Sequence, residues 1–141
     1  GVTVTARWGG DSAHDFTAYH DYITDSQGGW VPFMVVPAPQ QGWGVKDPAD
    51  EMTQAASHEL AEAVTDPQWD TAPAWIDLDL APFKEGVEIG DITDSLVGHH
   101  TIDPNDLYDW FTSADGTQYL VQKVWSEQDG GAVAFATATF Q

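Results

Sequence analysis

Three side chains in the segment His58-Glu59-Leu60-Ala61-Glu62 can bind a metal ion or move a proton. His58 and Glu62 are four residues apart, so on a helix they lie one turn apart on the same face and can hold one ion. Glu59 lies about 100° further round the helix, where it can reach a water molecule beside that ion. This is the arrangement of the zinc motif HExxH, with a glutamate, itself an accepted zinc ligand, in place of the second histidine. The sequence therefore predicts a zinc site, the alternative being an acidic helix face in contact with solvent.

A zinc site in an enzyme needs a third protein ligand. Glu88 is the preferred candidate, because the segment VEIGDI follows the helix at a distance that lets the chain return over it. Asp91 in the same segment, Asp66 at the end of the helix, and His20 among aromatic residues remain alternatives. The sequence does not decide between them.

The motif lies in a segment, Asp47 to Pro67, that carries helix signals at both ends. Asp47 can cap the first turn, and Pro48 suits the first helical position, where its missing N–H is no loss. Pro67 ends the helix. An apolar stripe at helical spacing predicts the packed face, and its members are Met52, Ala56, Leu60, Ala63 and Val64.

Most of the remaining sequence favours β-strands. Alternation or apolar runs predict strands at residues 2–8, 16–23, 30–36, 108–112, 118–125 and 132–140, and the third of them is expected to be buried. A helix is the alternative for 16–23. Because proline has no N–H to donate, Pro32 indicates either that this third strand lies at a sheet edge or that the strand starts at Pro32. We therefore expect a single α+β domain over residues 1–141, with the motif helix packed on a mixed or antiparallel sheet and a C-terminal β-meander.

The composition limits the classes of function. The net charge is −19, so nucleic acid and anionic membranes are poor partners. No apolar run approaches the ~18 residues that a membrane span needs. Cysteine is absent, which excludes disulfides and thiolate ligands. A high-salt habitat, an acidic habitat or bound divalent cations such as Ca²⁺ would each explain the excess of carboxylates.

Several segments together resemble secreted bacterial relatives of the exordium/phosphate-induced protein family. They are FTAYHDYI, VPFMVVPAP, MTQAASHELAEAVTDP, EIGD and YLVQKVWSEQDGGAV, and they extend from Phe16 to Val133. The resemblance implies a zincin-like fold, an HExxE zinc peptidase and export from the cell. The positions that match its two acidic motifs are His58, Glu59, Glu62, Asp66, Glu88 and Asp91.

The functional hypothesis from the sequence is a secreted zinc-dependent peptidase-like domain. His58, Glu62 and Glu88 would hold Zn²⁺, and Glu59 would be the general base for a metal-activated water that attacks a peptide or protein substrate. The alternative is a non-catalytic secreted binding or structural domain with Ca²⁺ or a structural metal ion.

Overall fold

The computed structural model describes residues 2–39, 47–76, 88–93, 107–126 and 128–134. The elements in these ranges are β1 (Tyr19–Thr24), β2 (Trp30–Val35), α1 (Pro48–Thr65), a 3₁₀ turn (Asp91–Thr93), β3 (Tyr108–Thr112), β4 (Gln118–Gln122), β5 (Val124–Ser126) and β6 (Gly131–Val133). The strands form three two-stranded antiparallel sheets, β1–β2, β3–β4 and β5–β6. The α+β class predicted from the sequence is confirmed, whereas a single sheet under the helix is not seen among these residues.

The ends of α1 follow the sequence signals. The Asp47 carboxylate accepts a hydrogen bond from the Ala49 N–H at 2.8 Å, and Pro48 is the first helical residue. The helix ends at Thr65, and the Asp66 N–H donates to the Glu62 carbonyl oxygen. The predicted boundaries of the motif helix are therefore confirmed.

The predicted packed face of α1 is wrong. Leu60 is 55% exposed and Val64 73% exposed, whereas the buried helical residues are Glu51, Ala55, Glu59 and Glu62. Glu59 and Glu62 on this face lie against His20 of β1. β4 packs on the adjacent side of the helix through Ser57 and His58. The apolar stripe did not predict the packed face because side chains from other segments pair with the carboxylates of the acidic face. Burial of this acidic face is therefore tolerated.

Two strand predictions near the N-terminus are corrected. Residues 2–8 form no strand but a single bridge from Thr5 to Asp11, because the chain reverses at Gly9, whose φ is +96°. The run at 30–36 does form β2, but it is not buried. Within the described ranges β2 pairs only with β1, so it is an edge strand, as Pro32 predicted.

The C-terminal strands form two hairpins rather than a continuous meander. β3 and β4 pair around a turn in which Gly116 has a φ of +87°. The predicted strand at 118–125 is divided at Lys123 into β4 and β5. The Lys123 N–H donates to the Leu107 carbonyl oxygen, in register with the β3–β4 pair. β5 then pairs with β6, and residues 135–140 of the last predicted strand lie outside the described ranges.

The buried residues are more polar than apolar. Among the described residues the buried hydrophobic ones are Ala6, Ala18, Ala55, Ile92 and Leu107. The buried polar ones are Ser12, His20, Asp21, Glu51, Glu59, Glu62, Asp66, Gln68, Thr93 and Gln122. The stability of this fold therefore depends on hydrogen-bond and ionic partners for these buried polar groups. None of the described helices has the length and apolar character needed to cross a membrane.

Candidate metal centre

The ionisable residues of the motif lie along one cleft of about 770 Å³. β1 contributes His20, and α1 contributes His58, Glu59 and Glu62. The segment at 88–93 adds Glu88 and Asp91. Aromatic rings line the same cleft, namely Trp8, Phe16, Tyr19, Trp69 and Tyr108. Residues far apart in the sequence thus meet at one concave surface.

The first group of ligand atoms surrounds the His58 imidazole. His58 Nε2 lies 3.1 Å from Glu62 Oε1 and 3.7 Å from Asp91 Oδ1. Glu62 is only 3% exposed, yet its Oε1 makes no hydrogen bond. Ligands bound at 2.0–2.1 Å in a tetrahedral zinc site lie about 3.3 Å from one another. The three atoms therefore have the spacing of ligands that converge on one cation.

The other nitrogen of His58 is fixed by Gln122 in β4. His58 Nδ1 lies 3.1 Å from Gln122 Oε1, and Gln122 Nε2 donates to the Gly90 carbonyl oxygen at 2.7 Å. Because that carbonyl can only accept, the amide oxygen of Gln122 must face His58. Nδ1 is then the donor, and Nε2 is left to face Glu62 and Asp91. This is the usual pairing of a metal-ligating histidine with an outer acceptor.

A second group of ligand atoms surrounds His20. His20 Nδ1 lies 3.3 Å from Glu59 Oε2 and 3.5 Å from Glu62 Oε2. On the other side of the ring, Nε2 lies 3.3 Å from the Asp66 carbonyl oxygen and 3.4 Å from Glu88 Oε1. The two oxygens of Glu62 therefore face two different histidines.

The structure brings His58 and Glu62 together in the arrangement that the motif spacing predicts. Asp91 completes this group, whereas Glu88, the preferred third ligand, lies beside His20. The Asp66 carboxylate instead accepts a hydrogen bond from the Ala74 N–H at 2.8 Å, which fixes the chain that leaves the helix.

Sequence reasoning did not identify Gln122 as part of the site. A glutamine in a strand carries no local pattern that predicts a contact with a histidine 64 positions earlier. The Gln122 backbone N–H also donates to Ser57 Oγ at 2.8 Å, across the contact between α1 and β4. Only the packing of β4 on α1 reveals its part in the site.

The pKa values of the site reflect burial and close opposite charges. Burial alone would lower the pKa of His58, but the carboxylates of Glu62, Glu59 and Asp91 raise it to about 10. Burial would likewise raise the pKa of Glu62, but the two histidines lower it to about 2. Burial and the negative charge of Glu62 raise the pKa of Glu88 to about 8. In the metal-free protein, protonated histidines therefore compensate the buried carboxylates.

These shifts predict how the stability of the metal-free protein depends on pH. The His58 pKa is raised from 6.5, so its contribution is complete below pH 6.5 and is lost as the pH rises through about 10. Glu88, raised from 4.5 to about 8, also disfavours the folded state as the pH rises. Glu62, lowered from 4.5 to about 2, contributes above pH 4.5 and loses this contribution in acid. We expect stability to be highest near pH 4.5 and to decline from there towards pH 9.

Urea denaturation of chelator-treated protein across this pH range measures that profile. His58→Gln should flatten the decline on the alkaline side, whereas His14→Gln, which alters an exposed histidine near Asp11, should keep the wild-type profile. Stability that increases from pH 6 to pH 9 would contradict the prediction.

Gly90 lies against the site and should tolerate no side chain. A Cβ at this position would be 2.7 Å from Glu62 Oε1 and 2.8 Å from His58 Nδ1. We expect Gly90→Ala to lower the free energy of unfolding by about 1–3 kcal/mol, because the site must move to accept the methyl group. Gly131→Ala is the matched control, since a Cβ there meets nothing within 4 Å. Equal unfolding midpoints for the two variants would show that the contact is unimportant.

Comparisons of the chain with protein-family models, with curated protein sequences and with solved structures found no match. The resemblance to exordium-related proteins and the zincin-like fold it implies therefore stay predictions. The case for a function rests on the geometry of the two histidines and the carboxylates around them.

Proposed function

We propose that this chain is a secreted zinc-dependent peptidase-like domain with a zincin-like arrangement of its motif helix. His58, Glu62 and Asp91 hold Zn²⁺, and Glu59 is the general base. One observation carries the proposal: Glu62 Oε1 is buried and lies 3.1 Å from His58 Nε2, while the other ring nitrogen is already committed to Gln122. Secretion and the peptide substrate are parts of the proposal that derive from the family resemblance.

The donor set favours zinc over calcium. Ca²⁺ takes six to eight oxygen ligands at 2.3–2.6 Å, whereas Zn²⁺ takes four ligands and binds imidazole nitrogen well. The first group supplies one imidazole and two carboxylates, which leaves one position of a tetrahedral ion open. Asp91 takes the place of Glu88 in this ligand set because its Oδ1 faces His58, whereas Glu88 faces His20.

The remaining side chains suit hydrolysis of a peptide bond. When bound, Zn²⁺ activates a water molecule and polarises the carbonyl group of the substrate. Glu59 borders the same cleft. As the general base, it would take the proton of the attacking water and pass it to the leaving amine. The Asp91 side chain is 43% exposed, so the ligand group opens towards the cleft and its aromatic walls. These walls supply apolar surface for substrate side chains.

Calorimetric titration of chelator-treated protein with Zn²⁺ and with Ca²⁺ tests the metal assignment. Zn²⁺ should bind in preference to Ca²⁺, and His58→Gln should weaken the binding at this group. His14→Gln removes an exposed histidine outside the cleft and should leave zinc affinity unchanged. Zinc affinity that is the same in wild type and His58→Gln would refute the ligand assignment.

The polar interior favours a second candidate, a non-catalytic domain with a structural metal ion. Only five buried hydrophobic residues are found in the described ranges, and one of them, Ile92, is packed against Trp75 and Trp125. An ion at His58 would join α1 to the segment at 88–93 and so replace part of a hydrophobic core. The two candidates differ in one measurable respect. The peptidase cleaves peptides and needs Glu59 to do so, whereas the structural domain cleaves none.

A further inference from the structure

We propose that His20, Glu59 and Glu62 form a second binding site for a divalent transition-metal ion such as Zn²⁺. An ion at this site would hold Glu59 as a ligand and so prevent it from acting as a base. The site itself is inferred from geometry alone, whereas its effect on turnover rests on the proposed peptidase function.

The ligand atoms of the second site lie at the spacing of a common ion. His20 Nδ1 lies 3.3 Å from Glu59 Oε2 and 3.5 Å from Glu62 Oε2. Both distances are close to the separation of about 3.3 Å expected between neighbouring zinc ligands. All three residues are buried, unlike acidic residues that cluster on a surface.

The hydrogen bonding of His20 makes Nδ1 the ring nitrogen that can bind a cation. Nε2 lies 3.3 Å from the Asp66 carbonyl oxygen, which can only accept, so Nε2 carries a hydrogen. Nδ1 then faces two carboxylates, and a bare lone pair there would be repelled by both. A proton or a metal ion must therefore lie between them. The backbone carbonyl behind the ring is the partner that metal-ligating histidines commonly have.

Glu62 connects this site to the first one. Its Oε1 faces His58 and its Oε2 faces His20, so a single carboxylate serves both groups. Two-metal sites in hydrolases place their ions about 3.5–4 Å apart. The geometry thus points to a pair of ions bridged by Glu62.

The second ion should suppress hydrolysis rather than support it. Glu59 Oε2 is the oxygen that faces His20 Nδ1, and a cation bound to it would make the carboxylate a much weaker base. Activity should therefore rise with the first equivalent of Zn²⁺ and fall with the second. Glu62 participates in both sites, so its substitution cannot separate them.

Native mass spectrometry of zinc-loaded protein measures the number of ions directly. After washing at high salt to remove ions held by surface carboxylates, wild type and His14→Gln should retain two Zn²⁺ ions, and His20→Gln should retain one. Wild type that retains a single ion, or His20→Gln that still retains two, would overturn the proposal.

A measurement on the wild-type chain avoids any folding defect of His20→Gln. With two equivalents of Mn²⁺, electron paramagnetic resonance should show an exchange-coupled pair, and two isolated Mn²⁺ signals would contradict a bridged site. If two ions bind and couple but no peptide is cleaved at any zinc concentration, the second site stands and the peptidase function fails. Peptide cleavage that persists unchanged at two bound equivalents would refute the inhibitory effect.

Discussion

Replacing Glu59 with glutamine should lower the rate of peptide hydrolysis by about 10²–10⁴-fold at one equivalent of Zn²⁺, because the amide cannot take up the proton of the attacking water. Glutamine has nearly the same shape as glutamate and can still contact His20. The loss should therefore occur in kcat, with the first zinc ion bound as tightly as in wild type.

Asp109→Asn is the control for this experiment. It removes the same charge from an exposed residue of β3, outside the cleft, so its rate should equal that of wild type. Equal rates for wild type and Glu59→Gln would end the peptidase proposal and leave the structural-metal candidate.

Removal of the metal ion should lower the melting temperature by roughly 10 °C. Free Zn²⁺ at 1,000 times its dissociation constant stabilises the folded state by about 4.1 kcal/mol. For a domain of this size each kcal/mol corresponds to about 3 °C. The effect should be large because the ion would join α1 to the segment at 88–93 in a fold with few buried apolar residues.

Differential scanning calorimetry with and without a chelator measures this shift. His58→Gln should lose most of the zinc-dependent increase, whereas His14→Gln should keep it. A wild-type melting temperature that is insensitive to both zinc and chelator would show that the site holds no ion of structural importance.

Local signals in the sequence correctly predicted the features that are determined by residues close together in the chain. The start of α1 follows from Asp47 and Pro48, and the alignment of His58 with Glu62 follows from the helical period alone. The β3–β4 hairpin likewise follows from its Asp115-Gly116 turn. These features need no information about distant parts of the chain.

Features that depend on tertiary contacts could not be predicted in this way. The choice of the acidic face of α1 as the packed face depends on the histidine that β1 places opposite it. The exposure of β2 depends on the strands that lie beside it, which an apolar run does not reveal. The choice between Glu88 and Asp91 required the direction of each side chain, which sequence separation does not give.

The wide separation in sequence of the residues around the site limits what a fragment of this protein can do. His20 precedes Glu59 by 39 positions, and Gln122 follows His58 by 64. A peptide containing α1 alone would keep the motif but lack the opposing imidazole and the amide that sets the tautomer of His58. A design that transfers the motif to another protein would also need counterparts of His20 and Gln122. The smallest fragment that contains the whole site therefore extends from β1 to β4.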